Sequence, residues 1–190
     1  MKKIAILALA ASAAIATPAA AQNVTGTINL TGTVTKKCFV NGPTAGTTFG
    51  GNVDLLELAK ADGTLEDSSV LEGRFNGAGA SVLSASVICT SANPEVTVTA
   101  TPLANTTPVT PGSGYTNTIS YNAKASFTLV GGSQDVTDAS GGGSTTATLG
   151  SRLNGTGTNV SVSSNSWAAT GTLVSGTYNG TITILIAPGA

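Results

Sequence analysis

Ile119, Tyr121, Ala123, Ala125, Phe127 and Leu129 take every second position across one stretch of the chain, with Ser, Asn, Lys and Thr between them. Successive side chains of an extended strand point to opposite faces, so this stretch has one oily face to bury and one polar face to wet. The same period recurs at Leu83, Ala85, Val87 and Cys89, at Val96, Val98 and Ala100, and at Tyr178, Ile182, Ile184 and Ile186. Val and Thr, whose branched Cβ suits a pleated surface, fill these runs. Asn41-Gly42, Asp62-Gly63, Asn76-Gly77, Pro102, Gly141-Gly142-Gly143 and Asn154-Gly155 separate them as turns. Many short alternating strands with this punctuation predict an all-β antiparallel sandwich. The only helix the pattern allows is short, over residues 55–61, and it competes with a strand there. Residues 131–150, rich in Gly, Ser and Thr, read as a mobile loop within one sandwich.

The first residues are read differently. Lys2 and Lys3 precede an apolar run over residues 4–16, and Ala19-Ala20-Ala21 offers small residues for cleavage. That is the layout of an export signal, predicted to end at residue 21 and leave 169 of the 190 residues. No later segment has the roughly 18 apolar residues of a membrane-spanning helix. The expected product passes through the periplasm without inserting into the membrane. A chain of this size fits one domain and buries about 70% of its unfolded surface.

Composition excludes more than it suggests. Without Lys2 and Lys3, six basic residues face nine acidic ones, and Lys36-Lys37 is the only basic pair left. That gives no footing for nucleic acid. The chain has no His, which removes triads and most zinc sites. Asp54, Glu57, Asp62, Glu66, Asp67 and Glu72 form an acidic stretch without the ligand order of a calcium loop, so it reads as a solvated face. Gly141-Gly142-Gly143-Ser144 lacks the Lys of a phosphate loop. Trp167, the only Trp, is assigned to packing ahead of sugar stacking. No cofactor and no catalytic residue are expected. Cys38 and Cys89, an even pair in an exported chain, are expected to form one disulfide.

Residues 23–40, NVTGTINLTGTVTKKCFV, alternate for about 50–60 Å if extended, far more than one ordinary strand needs. A break at Gly32 would divide them into a leading piece carrying Val24, Ile28 and Leu30 and a second piece anchored at Cys38. The leading piece either folds back into its own sandwich or is donated to a neighbour that lacks a strand.

The order of these motifs resembles a known family. The alternating start lies about fifteen residues before the first Cys, and Thr33-Val34-Thr35 leads into Cys38-Phe39-Val40. Then come Thr48-Phe49-Gly50 with an apolar strand, Ala85-Ser86-Val87-Ile88-Cys89, Ile119-Ser120-Tyr121-Asn122, and Gly176-Thr177-Tyr178 opening a closing strand over residues 181–186. In this the chain is similar to secreted pilus subunits of the archaic chaperone–usher class, grouped with spore coat protein U-like domains. The resemblance implies an incomplete immunoglobulin-like antiparallel β-sandwich completed by a donated N-terminal strand. It implies residues 22–33 as a donor extension and 34–190 as the pilin-like domain. Val24, Ile28 and Leu30 would be donor residues, and Cys38–Cys89 would link the first two strands. Tyr178, Ile182, Ile184 and Ile186 would border the acceptor groove and meet a chaperone. The implied partners are copies of the chain, a periplasmic chaperone and an outer-membrane usher; the implied role is a surface fibre for adhesion and biofilm. A self-complete secreted module or adhesin recognising a glycan or surface is the alternative, with an extracellular hydrolase third.

Overall fold

A computed structural model describes residues 25–42, 46–107 and 110–189. The predicted export signal and Val24 lie outside the described residues. The chain divides between Thr33 and Val34. Residues 25–33 belong to no strand, and Ile28 and Leu30 are 86% and 91% exposed.

From Val34 onward the protein is all-β and sandwich-like, with antiparallel sheets. The first ladder pairs β1 (Cys38–Val40) with a later strand at Val87–Cys89, setting Cys38 directly opposite Cys89. Those two cysteines are joined by a disulfide, as expected. After β1 no strand forms among the described residues before α1 (Ser68–Asn76), which α2 (Ala80–Leu83) follows. Then follow β2 (Ser84–Ala85), β3 (Val87–Cys89), β4 (Glu95–Ala100), β5 (Leu103–Asn105) and β6 (Tyr115–Thr116). The long β7 (Thr118–Leu129), β8 (Gly132–Ala139), β9 (Ser144–Thr148) and β10 (Val160–Ala168) come next. Short β11 (Thr172–Leu173) and β12 (Tyr178–Asn179) precede the closing β13 (Ile182–Ala187).

Two sheets make the layers. One runs β12-β5-β7-β10-β2, with β8 also paired to β7. The other runs β13-β4-β9, so β13 is a terminal strand. The alternation read from the sequence is the alternation of burial: Ile119, Ala123, Ala125 and Phe127 of β7 face Val96 and Val98 of β4 inside, all at 0–1% exposure. Leu71 and Phe75, four apart on α1, add one helical face to the same core.

Two buried polar side chains are matched across the core. Asp138 on β8 accepts from the Ala100 amide at 2.9 Å and the Thr145 hydroxyl at 2.8 Å, tying the two sheets together. The Asn159 side chain accepts from the Val87 amide at 2.8 Å and donates to its carbonyl at 2.7 Å, standing in for a strand partner where β3 has none.

Three sequence expectations are corrected. Residues 55–61 are not helical: Leu56 takes a φ of +60°, and the Asp54 and Glu57 carboxylates accept from the Leu56 and Ala59 amides. Such local bonds compete with a helix. The apolar strand expected after Thr48-Phe49-Gly50 is absent, because the backbone there finds no ladder. Residues 131–150 are no loop but two strands in different sheets: β8 lies along β7 from Leu129↔Gly132 to Asn122↔Ala139, and the Gly141–Gly143 turn leads into β9, which pairs with β4. Their Ser and Thr occupy a solvated strand face. Among the described residues no helix is long and apolar enough to cross a membrane.

The disulfide closes a loop between positions separated by 51 in sequence. Replacing both cysteines by Ser is expected to lower the unfolding free energy by about 4 kcal/mol, measured by urea titration against the oxidised parent. An unchanged midpoint would mean that the ladder alone holds β1.

Candidate binding groove

Between two unladdered edges the sandwich has an open groove of about 1320 Å³. One wall is residues 47–59. Its odd positions Phe49, Val53 and Leu55 pack on the core, yet among the described residues no backbone-to-backbone hydrogen bond joins 47–57 to another element. The first contact of that kind is the Ala59↔Leu65 bridge, which starts a small hairpin. The opposite wall runs through residues 173–184 and includes Tyr178, Ile182 and Ile184. Here β13 is bonded to β4 on one side only, through Ile182↔Ala100 to Ala187↔Glu95. The groove therefore mixes apolar and polar lining and is bounded on the β13 side by backbone that could accept another strand.

Its floor is a stacked pair, Tyr121 on Trp167, with ring centroids 4.5 Å apart and planes 20° from parallel. A defect in β10 puts Trp167 there. The β10–β7 register shifts between Asn165 and Ala168, and Ser166 has a φ of +59°. The extra residue turns Trp167 inward, where plain alternation from Val160 and Ser164 would place Ser166. Helix α1 holds the defect: the Ser68 hydroxyl oxygen accepts from the Trp167 amide at 3.0 Å, and Glu72 accepts from the Ser166 amide at 3.3 Å and the Ser68 hydroxyl at 2.9 Å. Trp167 Nε1 is buried with no hydrogen-bond partner. With Trp167 only 6% exposed, the ring offers no open face for a sugar.

The structure disperses the acidic stretch. Asp54, Glu57 and Asp62 cap their own backbone, Lys60 pairs with Asp67 at 2.6 Å, Arg74 with Glu66 at 3.7 Å, and Glu72 serves the bulge. Among the described residues no group of His, Cys, Asp or Glu is arranged to hold a metal ion. The Thr64 hydroxyl and amide hold the Asp62 carboxyl below its ordinary value.

Of the residues singled out in the sequence, Tyr178, Ile182 and Ile184 line the groove, all half-buried. Ile186 lies farther along β13 and is half-buried. Tyr178 anchors its own turn by donating its hydroxyl to the Val174 carbonyl at 2.8 Å. Cys38 and Cys89 sit in the disulfide ladder, and Ile28 and Leu30 in the exposed leading segment. Sequence reasoning missed the 47–59 wall, Phe75 and the Tyr121–Trp167 floor. The period-two spacing of Phe49, Val53 and Leu55 was the available signal for the wall.

Burial, with the Asp138 charge nearby, pushes the Tyr121 phenol up to about 12. An unfolded chain loses that proton near pH 10, before the folded one does. Stability tied to this group is complete below pH 10 and falls as pH rises toward 12, by on the order of 2–3 kcal/mol. Denaturant titrations from pH 9 to 12 are expected to show this descending limb and to show it flattened in Tyr121→Phe. An equally steep limb in the variant would assign the alkaline loss to other groups. No family model matches the chain, and no curated protein or solved structure matches it.

Proposed function

We propose that this chain is a non-enzymatic structural subunit of a bacterial surface pilus, exported through the periplasm and polymerised by donor-strand exchange. The leading segment of one copy, carrying Val24, Ile28 and Leu30, enters the groove of the next. A periplasmic chaperone and an outer-membrane usher would guard and order that exchange. The observation that carries the reading is one groove with an aromatic floor, bounded by the free edge of β13 and by the unladdered segment 47–57, in a chain that also exposes Ile28 and Leu30.

Size and chemistry match. Residues 24–30 reach about 23 Å when extended, close to the roughly 20 Å of six-residue β13. Burying an Ile or Leu side chain contributes about 1.5–3 kcal/mol, and the backbone of the entering strand would satisfy the free edge of β13. The donor piece contains no charged residue, as a groove floored by Tyr121 and Trp167 requires.

Donor-strand polymers run as a ladder on an unboiled denaturing gel and collapse to one band on heating. Ile28→Asp with Leu30→Asp is expected to cut the ladder by roughly tenfold or more while leaving the circular dichroism of the sandwich intact. Deleting residues 22–31 should abolish it. A ladder that survives the deletion sinks the reading.

A further inference from the structure

An apolar groove walled by a segment with no ladder has a cheaper fate than waiting for a partner: the loose wall can fold across and cover it. At its groove-lining turn, residues 54–59, Leu55 and Leu58 pack on the core, and the backbone of Leu55 and Glu57 is bonded from outside the segment by one side chain. Arg74, in the last turn of α1, donates from Nη1 to the Leu55 carbonyl at 3.2 Å and also to the Glu57 carbonyl. Its Nη2 lies 3.7 Å from the Glu66 carboxylate. The residue between those two carbonyls is Leu56, at a φ of +60° that a bulky side chain adopts only when its surroundings enforce it. The adjoining amides of Leu56 and Ala59 are occupied by Asp54 and Glu57. Donors and acceptors of the wall are thus engaged away from β13. Helix α1 makes a firm post, because Leu71 and Phe75 on either side of Arg74 are buried in the core and Phe75 itself lines the groove.

We propose that Arg74 is a positioning residue that pins the wall at Leu55 and Glu57 and so keeps the groove open in the free subunit. A guanidinium presents several donors in a fixed fork and can serve two carbonyls and a carboxylate at once, which a lysine ammonium does less well at this spread. The latch serves assembly because the groove accepts a strand, and in that respect it rests on the function proposed above.

Arg74→Ala and Arg74→Lys in the full chain test it, with heat-dissociated monomer read before it repolymerises. Three readouts are taken: fluorescence of a hydrophobic dye, growth of the unboiled ladder, and Tm followed by Trp167 emission. For Arg74→Ala the expected result is roughly threefold less dye binding as the wall closes, with ladder growth slowed roughly tenfold and Tm unchanged or raised. Arg74→Lys should fall between. A bracing ion pair and nothing more gives the opposite: Tm drops and dye binding stays or rises, and that outcome overturns the latch. Should Arg74→Ala fail to fold, Arg74→Lys decides by the same signs. If the parent forms no ladder but the dye difference holds, the donor-strand reading fails and the latch stands.

Discussion

Backbone amides and carbonyls at a sheet edge are obligatory hydrogen-bonding groups, and water is the only partner they have until another strand arrives. One such edge, that of β13, faces a segment that joins no sheet. β13 completes a ladder with β4 and then stops, while residues 47–57 run across from it with apolar side chains seated and backbone unladdered. Elsewhere the edges are managed. The small β1–β3 ladder is closed by its disulfide, β3 borrows the Asn159 amide, and β8 and β9 carry hydroxyl and carboxyl side chains on their solvated faces. At the groove the open edge of β13 lies beside the Tyr121–Trp167 floor.

The scaffold that makes this tolerable is β7. Twelve residues long, it carries the inward side chains of the main sheet and pairs with β5, β8 and β10 along its length. Its core partner β4 is paired on both sides, to β9 and to β13. The groove is therefore cut beside a rigid double layer, with Tyr121 of β7 as part of its floor. Asp138 reinforces the same place, since its bond to the Ala100 amide fixes the end of β4 from which the chain leaves toward the groove.

What the sequence disclosed follows from what periodicity encodes. β7, β4 and β13 were legible because a strand with one face buried must alternate, and Cys38 and Cys89 were legible because an even pair in an oxidising setting bonds. Strands β8 and β9 were not, since Ser, Thr, Gln and Asp dominate them and Val136 with Ala139 and Ala147 give a thin apolar signal that Gly141-Gly142-Gly143 disguises as a linker. Helix α1 shows only Leu71 and Phe75 as its buried face, too few to set a period, amid acids that read as a loop. The leading residues 25–37 carry a strand's pattern and form no strand, because alternation specifies which side chains share a face and says nothing about which backbone will pair with them. Half of the groove, the β13 side, could be named from residues. The other half depends on turns at Leu56 and Ser166 that no pattern announces.

Those two turns bear on how the groove was shaped. Leu56 and Ser166 are the described non-glycine residues with positive φ, and both belong to groove structure: one in its wall, the other setting Trp167 into its floor. Each costs about 1–3 kcal/mol and persists only where neighbours over-determine it. In both cases the neighbour is α1, through Arg74 for the wall and through Ser68 and Glu72 for the floor. Trp167 Nε1, buried without a partner, adds a further cost at the same place. A helix inserted between the first strand and the rest thus holds strain on two sides of one cavity. On the donor-strand proposal, these two strained turns would be held on the wall and the floor of the groove that an arriving strand enters.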